Sequence, residues 1–285
     1  MSDGARRGLN RLPALTQAQA ALTSEIVAIN EFGEPTCVSI PAERALTIYV
    51  DKRELVTLMT LGAHPELLVL GYLRNQRLIS SAQEIESITV DWDVGAAAVK
   101  TRNGITDIEA KTAKRVVTTG CGQGSVFGDM MGEIDSIHLP PASLTQSQLY
   151  DIVNAIRLKE STYKSAGSVH ACALFQAEEL LIFVEDVGRH NAIDTIAGWM
   201  AMQDAMQSAD KIFYTTGRLT SEMVIKSAQM GVPIVVSRSG ITQMGQAVAQ
   251  SLGLCAIGRA TNKRFLIYSG AHRLRLQAEL APPRV

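Results

Sequence analysis

The stretch that decides the fold is KIFYTTGRLTSEMVIKSAQMGVPIVVSRSG, residues 211–240, in which short apolar runs alternate with one amphipathic run. The pattern predicts a strand over Ile212–Thr215, a helix over Ser221–Met230 and a strand over Pro233–Ser237. A strand, a helix and a strand in this order are typical of a sheet that is parallel in part and covered by helices on both faces.

The alternation of predicted strands and helices continues on both sides of this stretch. A helix over 143–160 is predicted from the apolar face of the segment and from Thr145 and Gln148, which fit a capping box. The other predicted elements are strands over Ala171–Gln176, Leu180–Glu185, Leu254–Ile257 and Phe265–Tyr268, and helices over Asn191–Ala205 and Thr242–Leu252. The second half of the chain is therefore predicted to be an α/β domain.

The first half mixes strands and helices in a less regular way. Leu55 and Leu58 have helical spacing, and Asp51 before them suits an N-cap, so a helix is expected over Asp51–Leu61. Pro65 at a first-turn position predicts a helix running toward Ile79. Strands are predicted over Ile85–Val90, Ala96–Lys100 and Ile105–Ala110, the last two joined by an Asn103-Gly104 turn. These elements indicate an α+β domain.

Five glycines in TTGCGQGSVFGDMMG, residues 118–132, separate the two halves and predict a loop. The expected organisation is a disordered tail (1–23), an N-terminal α+β domain (24–118), a glycine-rich loop and linker (119–142), a C-terminal α/β domain (143–278) and a short tail (279–285).

Composition excludes several classes of protein. The chain has 285 residues, 46% hydrophobic and 19% charged, which is typical of a globular protein. Its net charge of -1 gives no basic field for nucleic acid, and no apolar run is long enough to span a membrane. The N-terminus does not resemble a signal peptide, so the sequence predicts a cytoplasmic, reducing compartment.

Arginine recurs just after four predicted strands, always beside small or hydroxyl residues. Glycine, helix N-termini and arginine together favour phosphate, so these ends predict a pocket for a phosphorylated ligand that contains a nucleotide. The four segments are Glu185–Asn191, Thr215–Ser221, Ser237–Gly240 and Gly258–Arg264. His190, in the first of them, fits equally well a residue that orients a ligand and one that caps a helix. Walker A and G-x-G-x-x-G motifs are absent, as are a G-x-S-x-G elbow and a complete zinc signature.

Cys121 lies within the glycine-rich loop, between Gly120 and Gly122. A thiol in such a loop has access to partners and no core to enter, which favours a reactive cysteine. Cys37, Cys172 and Cys255 lie in apolar, strand-like contexts and are expected to be buried and poorly reactive.

Four motifs together resemble the formate dehydrogenase accessory sulfurtransferase family, FdhD, from about residue 24 to residue 275. They are TTGCGQGSVFGD, EDVGRHNAIDTIAGW, TTGRLTSEMVIKSAQMGVPIVVSRSG and IGRATNKRFLIYSGAHRL. The resemblance implies a sulfur carrier that receives sulfur from a cysteine desulfurase as a Cys121 persulfide. The sulfur then passes to the molybdenum or tungsten of a bis(molybdopterin guanine dinucleotide) cofactor for formate dehydrogenase. It also implies a homodimer and a C-terminal domain like that of cytidine deaminases without their zinc.

The family's cofactor-binding stretch matches Arg259, Ala260, Thr261, Asn262, Lys263 and Arg264, and the strand ends add Arg218 and Ser237 as candidates. No structural metal is expected. Many members have a second loop cysteine where this chain has Gly124, so a relay between two loop thiols is not expected here. One alternative stays open, a non-catalytic chaperone that binds and delivers the cofactor. A nucleotide-processing enzyme of deaminase ancestry is disfavoured, because the zinc ligands of such an enzyme are absent from the sequence.

Overall fold

The computed structural model describes residues 12–106, 108, 134–203 and 210–280. The first half forms a five-stranded sheet in the order β1-β6-β7-β4-β5, with a helix α1 on one face and a separate two-stranded ribbon, β2-β3. The bounds are β1 Ala14–Leu15, β2 Thr23–Ile29, β3 Pro35–Pro41, β4 Arg44–Val50, β5 Arg53–Thr60, α1 Pro65–Asn75, β6 Ile85–Asp91 and β7 Ala96–Thr101.

The prediction of a helix over Asp51–Leu61 is wrong, because the segment forms β5 and pairs antiparallel with β4. Asp51 and Lys52 have φ of 46° and 73° and make the tight turn between the strands. The Asp51 carboxylate accepts a hydrogen bond from the Thr101 backbone nitrogen at 3.0 Å. Leu55 and Leu58 share a helical spacing, but pairing with β4 overrides that local signal.

Two further expectations for the first half differ from the structure. A disordered tail was expected over residues 1–23, yet within it Ala14 and Leu15 pair with β6, the Ala18 nitrogen donates to Glu66 Oε1 at 2.7 Å, and Thr23 begins β2. A strand over Ile105–Ala110 is not formed, since 105 and 106 lie outside any strand and Ile108 is helical. Residues 107, 109 and 110 lie outside the described part of the chain.

The second half is built on a six-stranded sheet in the order β10-β9-β11-β12-β13-β14. Its core lies in two layers, one between the sheet and α4–α6, the other between the sheet and α2, so both faces are covered as predicted. The bounds are β8 Leu144–Thr145, α2 Gln146–Leu158, α3 Thr162–Ala166, β9 His170–Gln176, β10 Glu179–Asp186, α4 Arg189–Ala201, β11 Lys211–Thr215, α5 Ser221–Gln229, β12 Ile234–Ser237, α6 Gln243–Ser251, β13 Cys255–Thr261, β14 Arg264–Ser269 and β15 Leu274–Arg275.

Most sequence predictions for this half are confirmed. The capping box of Thr145 and Gln148 begins α2, and β11, β12 and β13 lie side by side and parallel. The mixed α/β fold agrees with the expected class. In the described part of the chain, every helix is too short or too polar to cross a membrane.

The two halves meet where α1 packs across α4. Gly71 of α1 and Gly198 of α4 allow the backbones to touch, because a Cβ on Gly71 would lie 1.7 Å from the Asp194 carbonyl oxygen. The contact joins α1, which packs on the first sheet, to the helix that follows β10.

Candidate functional site

Four strands of the C-terminal sheet end at one edge. β9 is antiparallel to both β10 and β11, and β11, β12 and β13 are parallel, so β10, β11, β12 and β13 all run in the same direction. The predicted arginine-bearing segments therefore share this edge. Arg218, Arg238 and Arg259 are exposed, whereas Arg189 is buried, with 7% of its surface accessible.

The last of the four segments is a hairpin and not a loop. β13 was expected to end at Ile257, but it continues to Thr261, and Asn262 and Lys263 make a two-residue turn into β14. Arg259 and Asn262 have φ of 52° and 51°. The left-handed backbone at Arg259 accompanies a shift in the β13–β14 register, and its nitrogen donates to Ser239 O at 2.6 Å. This bulge bends the hairpin against the β12 loop.

Four of the predicted cofactor-binding residues line one groove of about 650 Å³, which we call the hairpin groove. The remainder of its wall comes from α2 and from the C-terminal segment, and much of the wall is apolar. Its lining consists of Arg259, Thr261, Lys263, Arg264, Phe265 and Leu266 from the hairpin, Gln146 and Tyr150 from α2, and Leu276 and Ala278.

The other residues that were predicted to bind the cofactor do not line the hairpin groove. Ala260 is buried in the core beneath the hairpin, and Asn262 is exposed at its turn. Ser237 is fully buried, and its hydroxyl donates to Gly217 O at 2.7 Å and accepts from the Ser239 nitrogen at 3.0 Å. Arg218 is exposed after β11. Ser237 and Arg218 belong to the same sheet edge, outside the lining of the hairpin groove.

The sequence reasoning missed the residues that complete the groove from α2. Tyr150 Oη donates to Lys263 O at 3.0 Å, and Gln146 Nε2 donates to Tyr150 Oη at 2.7 Å. Gln146 Oε1 accepts from the Gln277 nitrogen at 2.8 Å, which holds the C-terminal segment in place. The capping box located the helix, but nothing in the local sequence indicates which distant segment its side chains reach.

A buried polar network lies at the same sheet edge, between the two halves of the chain. Asp186, at the end of β10, accepts hydrogen bonds from Thr60 Oγ1 at 2.5 Å, the Leu61 nitrogen at 3.1 Å and Asn191 Nδ2 at 2.8 Å. Burial raises the pKa of Asp186, while these hydrogen bonds act in the opposite direction. The network fastens the end of β5 to the start of α4.

A buried ion pair lies one turn further along α4. Lys226 Nζ of α5 lies 2.9 Å from Asp194, whose Oδ1 also accepts from Asn75 Nδ2 of α1 at 2.6 Å. Both charged side chains have no accessible surface. The pKa of Asp194 is raised by burial, against the opposing effects of Lys226 and Asn75.

His190 and Glu222 face each other at the N-termini of α4 and α5. His190 Nδ1 lies 3.5 Å from Glu222 Oε1, and Lys226 Nζ is 3.6 Å from the same oxygen. Burial, reinforced by Lys226, Arg189 and His170, lowers the pKa of His190 to about 2, so the imidazole is neutral. Four buried atoms here have no hydrogen-bond partner among the described residues: Arg189 Nε, His190 Nδ1, Thr220 Oγ1 and Glu222 Oε1.

Two of the three described cysteines are buried, as expected, and the third is exposed. Cys172 and Cys255 are buried, as predicted, and burial raises the pKa of each thiol to about 12. Cys37 was expected to be buried but is exposed, because it lies on the β2-β3 ribbon, which is not part of either large sheet. A hydrogen bond to Glu25 raises its pKa. Cys121, the predicted reactive cysteine, lies outside the described residues.

Comparisons with known proteins confirm the family that the four sequence motifs indicate. A family model described as the FdhD/NarQ family matches residues 41–275. A protein of Listeria monocytogenes serotype 4b, named sulfur carrier protein FdhD, is 30% identical over 240 residues, covering 83% of this chain and 91% of the relative. A Bacillus subtilis protein of the same name is 30% identical over 234 residues, covering 82% and 89%.

A solved structure has the same fold. It is a crystal structure described as a putative formate dehydrogenase accessory protein from Desulfotalea psychrophila, with a TM-score of 0.71 and 24% sequence identity. The match covers 89% of this chain and 98% of that chain. The arrangement of two sheets around the α1–α4 contact is thus an established fold.

Proposed function

Because this chain belongs to the FdhD/NarQ family, we propose that it is a sulfur carrier that serves the maturation of formate dehydrogenase. In this proposal it receives sulfur from a cysteine desulfurase on Cys121 and passes it to a bis(molybdopterin guanine dinucleotide) cofactor of molybdenum or tungsten. It acts in the cytoplasm as a homodimer, with the desulfurase and the catalytic subunit of formate dehydrogenase as partners.

The observation that carries the cofactor part of the proposal is the hairpin groove. It gathers Arg259, Lys263 and Arg264 around an apolar wall that includes Phe265. A guanine dinucleotide combines flat bases with negatively charged pyrophosphates, and such a groove complements both features.

The sulfur part rests on the chemistry of the thiols. Sulfur acceptance requires a thiolate that attacks the terminal sulfur of the donor persulfide, while the donor cysteine leaves as a thiolate. Cys172 and Cys255 are excluded by burial and by their raised pKa values of about 12. Cys121, between glycines, is the residue for which the sequence predicts access. Transfer onward would break the S–S bond of the persulfide and leave Cys121 as a thiolate, and the two electrons that convert the released sulfur to sulfide would come from the reduced metal of the cofactor.

One observation favours a second candidate, a chaperone that binds and delivers the cofactor without carrying sulfur. Gly124 stands where many family members have a second loop cysteine, so this chain lacks one thiol that could carry sulfur. The hairpin groove, which a chaperone would need, is present. The two candidates share the groove and differ only in the need for Cys121.

The deciding experiment follows sulfur on the protein and then enzyme maturation in cells. The purified chain is incubated with a cysteine desulfurase and cysteine, and its peptides are mapped by mass spectrometry. One added sulfur, removable by thiol reductant, is expected on the Cys121 peptide. Cys121→Ala should abolish both this mass and the maturation of formate dehydrogenase, whereas Cys37→Ser should leave both unchanged. Full dehydrogenase activity with Cys121→Ala would establish the chaperone and exclude the carrier.

A further inference from the structure

A second cavity, of about 450 Å³, lies between the two halves of the chain at the start of β11, and we call it the α1–β11 pocket. β11, β12 and β13 are parallel, and the hairpin groove lies beyond the end of β13. The α1–β11 pocket therefore lies at the opposite edge of the C-terminal sheet. Its wall includes Arg74, Ser80, Ser81, Met200, Lys211 and Met230.

Two cationic side chains, one from each half of the chain, line this pocket. Arg74 belongs to the last turn of α1, and Lys211, which is only 3% exposed, is the first residue of β11. Burial lowers the pKa of both side chains, and the charge of Arg74 lowers the pKa of Lys211 further. In the described part of the chain, the Arg74 guanidinium has neither a hydrogen bond nor an ion pair. Two like charges in a partly closed space repel each other, and an anion between them would remove that cost.

The segment after α1 adds hydrogen-bond donors to the same pocket. The backbone nitrogens of Ser80 and Ser81 donate to Glu84 Oε1 at 2.7 and 2.9 Å, and Glu84 itself is exposed and outside the pocket lining. Ser81 Oγ accepts from the Gln83 nitrogen at 3.2 Å, which leaves the hydroxyl proton available to donate. Positive charge and hydroxyl donors together complement an oxyanion.

We propose that the α1–β11 pocket binds a small phosphorylated organic molecule, with the phosphoryl group held between Arg74 and Lys211. Arginine can donate two parallel hydrogen bonds to phosphoryl oxygens, and lysine supplies a second, compact charge. The hydroxyls of Ser80 and Ser81 donate to the remaining oxygens. This site is separate from the hairpin groove and does not depend on sulfur transfer.

The size and the apolar wall of the pocket favour an organic phosphate over the free ion. Sites for small organic ligands have volumes of roughly 300–1,000 Å³, and the α1–β11 pocket falls within that range. Met200 at the end of α4 and Met230 after α5 form part of its wall, and methionine adapts well to an apolar group. A phosphomonoester should therefore bind more tightly than inorganic phosphate.

A ligand in this pocket contacts both halves of the chain at once, through α1 and through β11. Because it binds the folded protein and not the unfolded chain, it should raise the thermal midpoint of unfolding. This effect gives a second readout that does not rely on the heat of binding.

The test is calorimetric titration of the full chain carrying Arg259→Ala and Arg264→Ala, which removes two phosphate-binding side chains of the hairpin groove. The probes are phenyl phosphate, inorganic phosphate and benzoate at fixed ionic strength. Phenyl phosphate is expected to bind one molecule per chain, and inorganic phosphate and benzoate should each bind at least about tenfold more weakly. Phenyl phosphate should also raise the thermal midpoint.

Arg74→Gln and Lys211→Met, each added to that background, should lower the affinity for phenyl phosphate at least about tenfold and abolish the thermal shift. Arg157→Gln, an exposed arginine outside both cavities, is the matched control and should change neither. Arg74 is half-buried, so Arg74→Gln keeps the test decisive even if Lys211→Met fails to fold.

Several results would overturn the inference. Unchanged phenyl phosphate affinity in Arg74→Gln would show that the phosphoryl group does not lie at this pocket. Binding to the wild type that disappears with Arg259→Ala and Arg264→Ala would assign the phosphate to the hairpin groove. Equal affinity for inorganic phosphate would exclude a role for the organic part, and tighter binding of benzoate would exclude a phosphoryl ligand.

Discussion

Gly71 of α1 and Gly198 of α4 lie against each other, so that a Cβ placed on Gly71 would be 2.6 Å from the Gly198 nitrogen. A Cβ on Gly198 would in turn be 1.9 Å from Leu67 O. These distances are far below a normal contact, so both positions require a residue without a side chain. The contact brings α1 onto the same helix that carries His190 and Asp194, and therefore links packing of the first sheet to the buried polar network.

Gly71→Ala is expected to destabilise the fold strongly, because the new methyl group meets backbone atoms that cannot rotate away. The free energy of unfolding should fall by at least about 2 kcal/mol, measured by urea denaturation. Gly240→Ala is the matched control, since a Cβ there would have nothing within 4 Å. A Gly71→Ala variant as stable as Gly240→Ala would show that the helices do not cross this closely.

Breaking the buried ion pair should lower the free energy of unfolding more than breaking an exposed ion pair does. Lys226→Met leaves the Asp194 carboxylate buried without its cation, and the free energy of unfolding should fall by about 3–5 kcal/mol. Lys100→Met breaks a pair that is exposed, with 65% and 43% of the side chains accessible, and should cost less than about 1 kcal/mol.

The double variant Asp194→Asn/Lys226→Met provides the check on this interpretation. It removes both members of the fully buried pair and should be more stable than Lys226→Met alone, because Asp194 is then no longer a buried charge without its cation, whereas Glu222 is in the same state in both variants. Equal stability of the single and double variants would mean that lost packing, and not an unpaired charge, causes the destabilisation.

Stability should decrease as the pH falls below about 6.5 because of His190. Its pKa is about 2 in the folded protein, against an ordinary 6.5, so the unfolded chain alone binds a proton between these values. The free energy of unfolding should thus fall by about 1.4 kcal/mol between pH 7.5 and 5.5 relative to His190→Gln. Chemical denaturation across this range measures the difference.

Glu222 must be controlled in that measurement, since it lies 3.5 Å from His190. Its pKa is raised by burial, so protonation of Glu222 favours the folded state as the pH falls, which is the opposite sign. Repeating the comparison in a Glu222→Gln background removes this contribution. The difference due to His190 should persist there, and its disappearance would assign the pH dependence to Glu222. Lys226, Arg189 and His170, the other groups that influence His190, are unchanged in every variant.

The sequence predicts the α/β half well because its elements are defined locally. The strand segments Ile212–Thr215, Ile234–Ser237 and Cys255–Ile257 are short apolar runs that end at or just before a glycine or hydroxyl residue, and parallel order follows from the alternation with helices. The same locality explains the error at β5. Two leucines at helical spacing were a weak signal, and pairing with β4, which no short window contains, decided the structure.

For a similar reason, the sequence could not predict which distant side chains meet at the hairpin groove. Tyr150 and Lys263 are joined by a hydrogen bond across 113 positions, and no local pattern marks either as a partner of the other. Arg259, Thr261, Lys263 and Arg264 could be proposed because the family's cofactor-binding stretch matches the single segment of the chain that contains them. Cys37 was placed in a core because its neighbours are strand formers, but the β2-β3 ribbon that they form has no core of its own.

Arg259 and Arg264 should each contribute to binding of a guanine nucleotide. Replacement of either by alanine removes a charged donor from the groove lining, and the GDP affinity should fall at least about tenfold. Arg157→Ala removes an exposed arginine of α2 outside that lining and should leave the affinity unchanged. Calorimetry at fixed ionic strength makes the comparison, and wild-type affinity in both groove variants would place the site elsewhere.

Thiol reactivity should follow burial and local charge among the three described cysteines. In the folded protein at pH 7.5, Cys172 and Cys255 should resist N-ethylmaleimide, because thiols with pKa values of about 12 are almost entirely protonated and both are buried.

Cys37 is exposed, but its Sγ donates to Glu25 Oε2 at 3.2 Å, which raises its pKa and slows its reaction. Glu25→Gln removes that carboxylate and should accelerate alkylation of Cys37, whereas Glu31→Gln, an exposed glutamate near the tip of the same ribbon, should not. Peptide mapping over time gives the separate rates. If Cys37 reacts equally fast in all three proteins, Glu25 does not hold the thiol protonated, and Cys37 then becomes a genuine competitor of Cys121 for transferred sulfur.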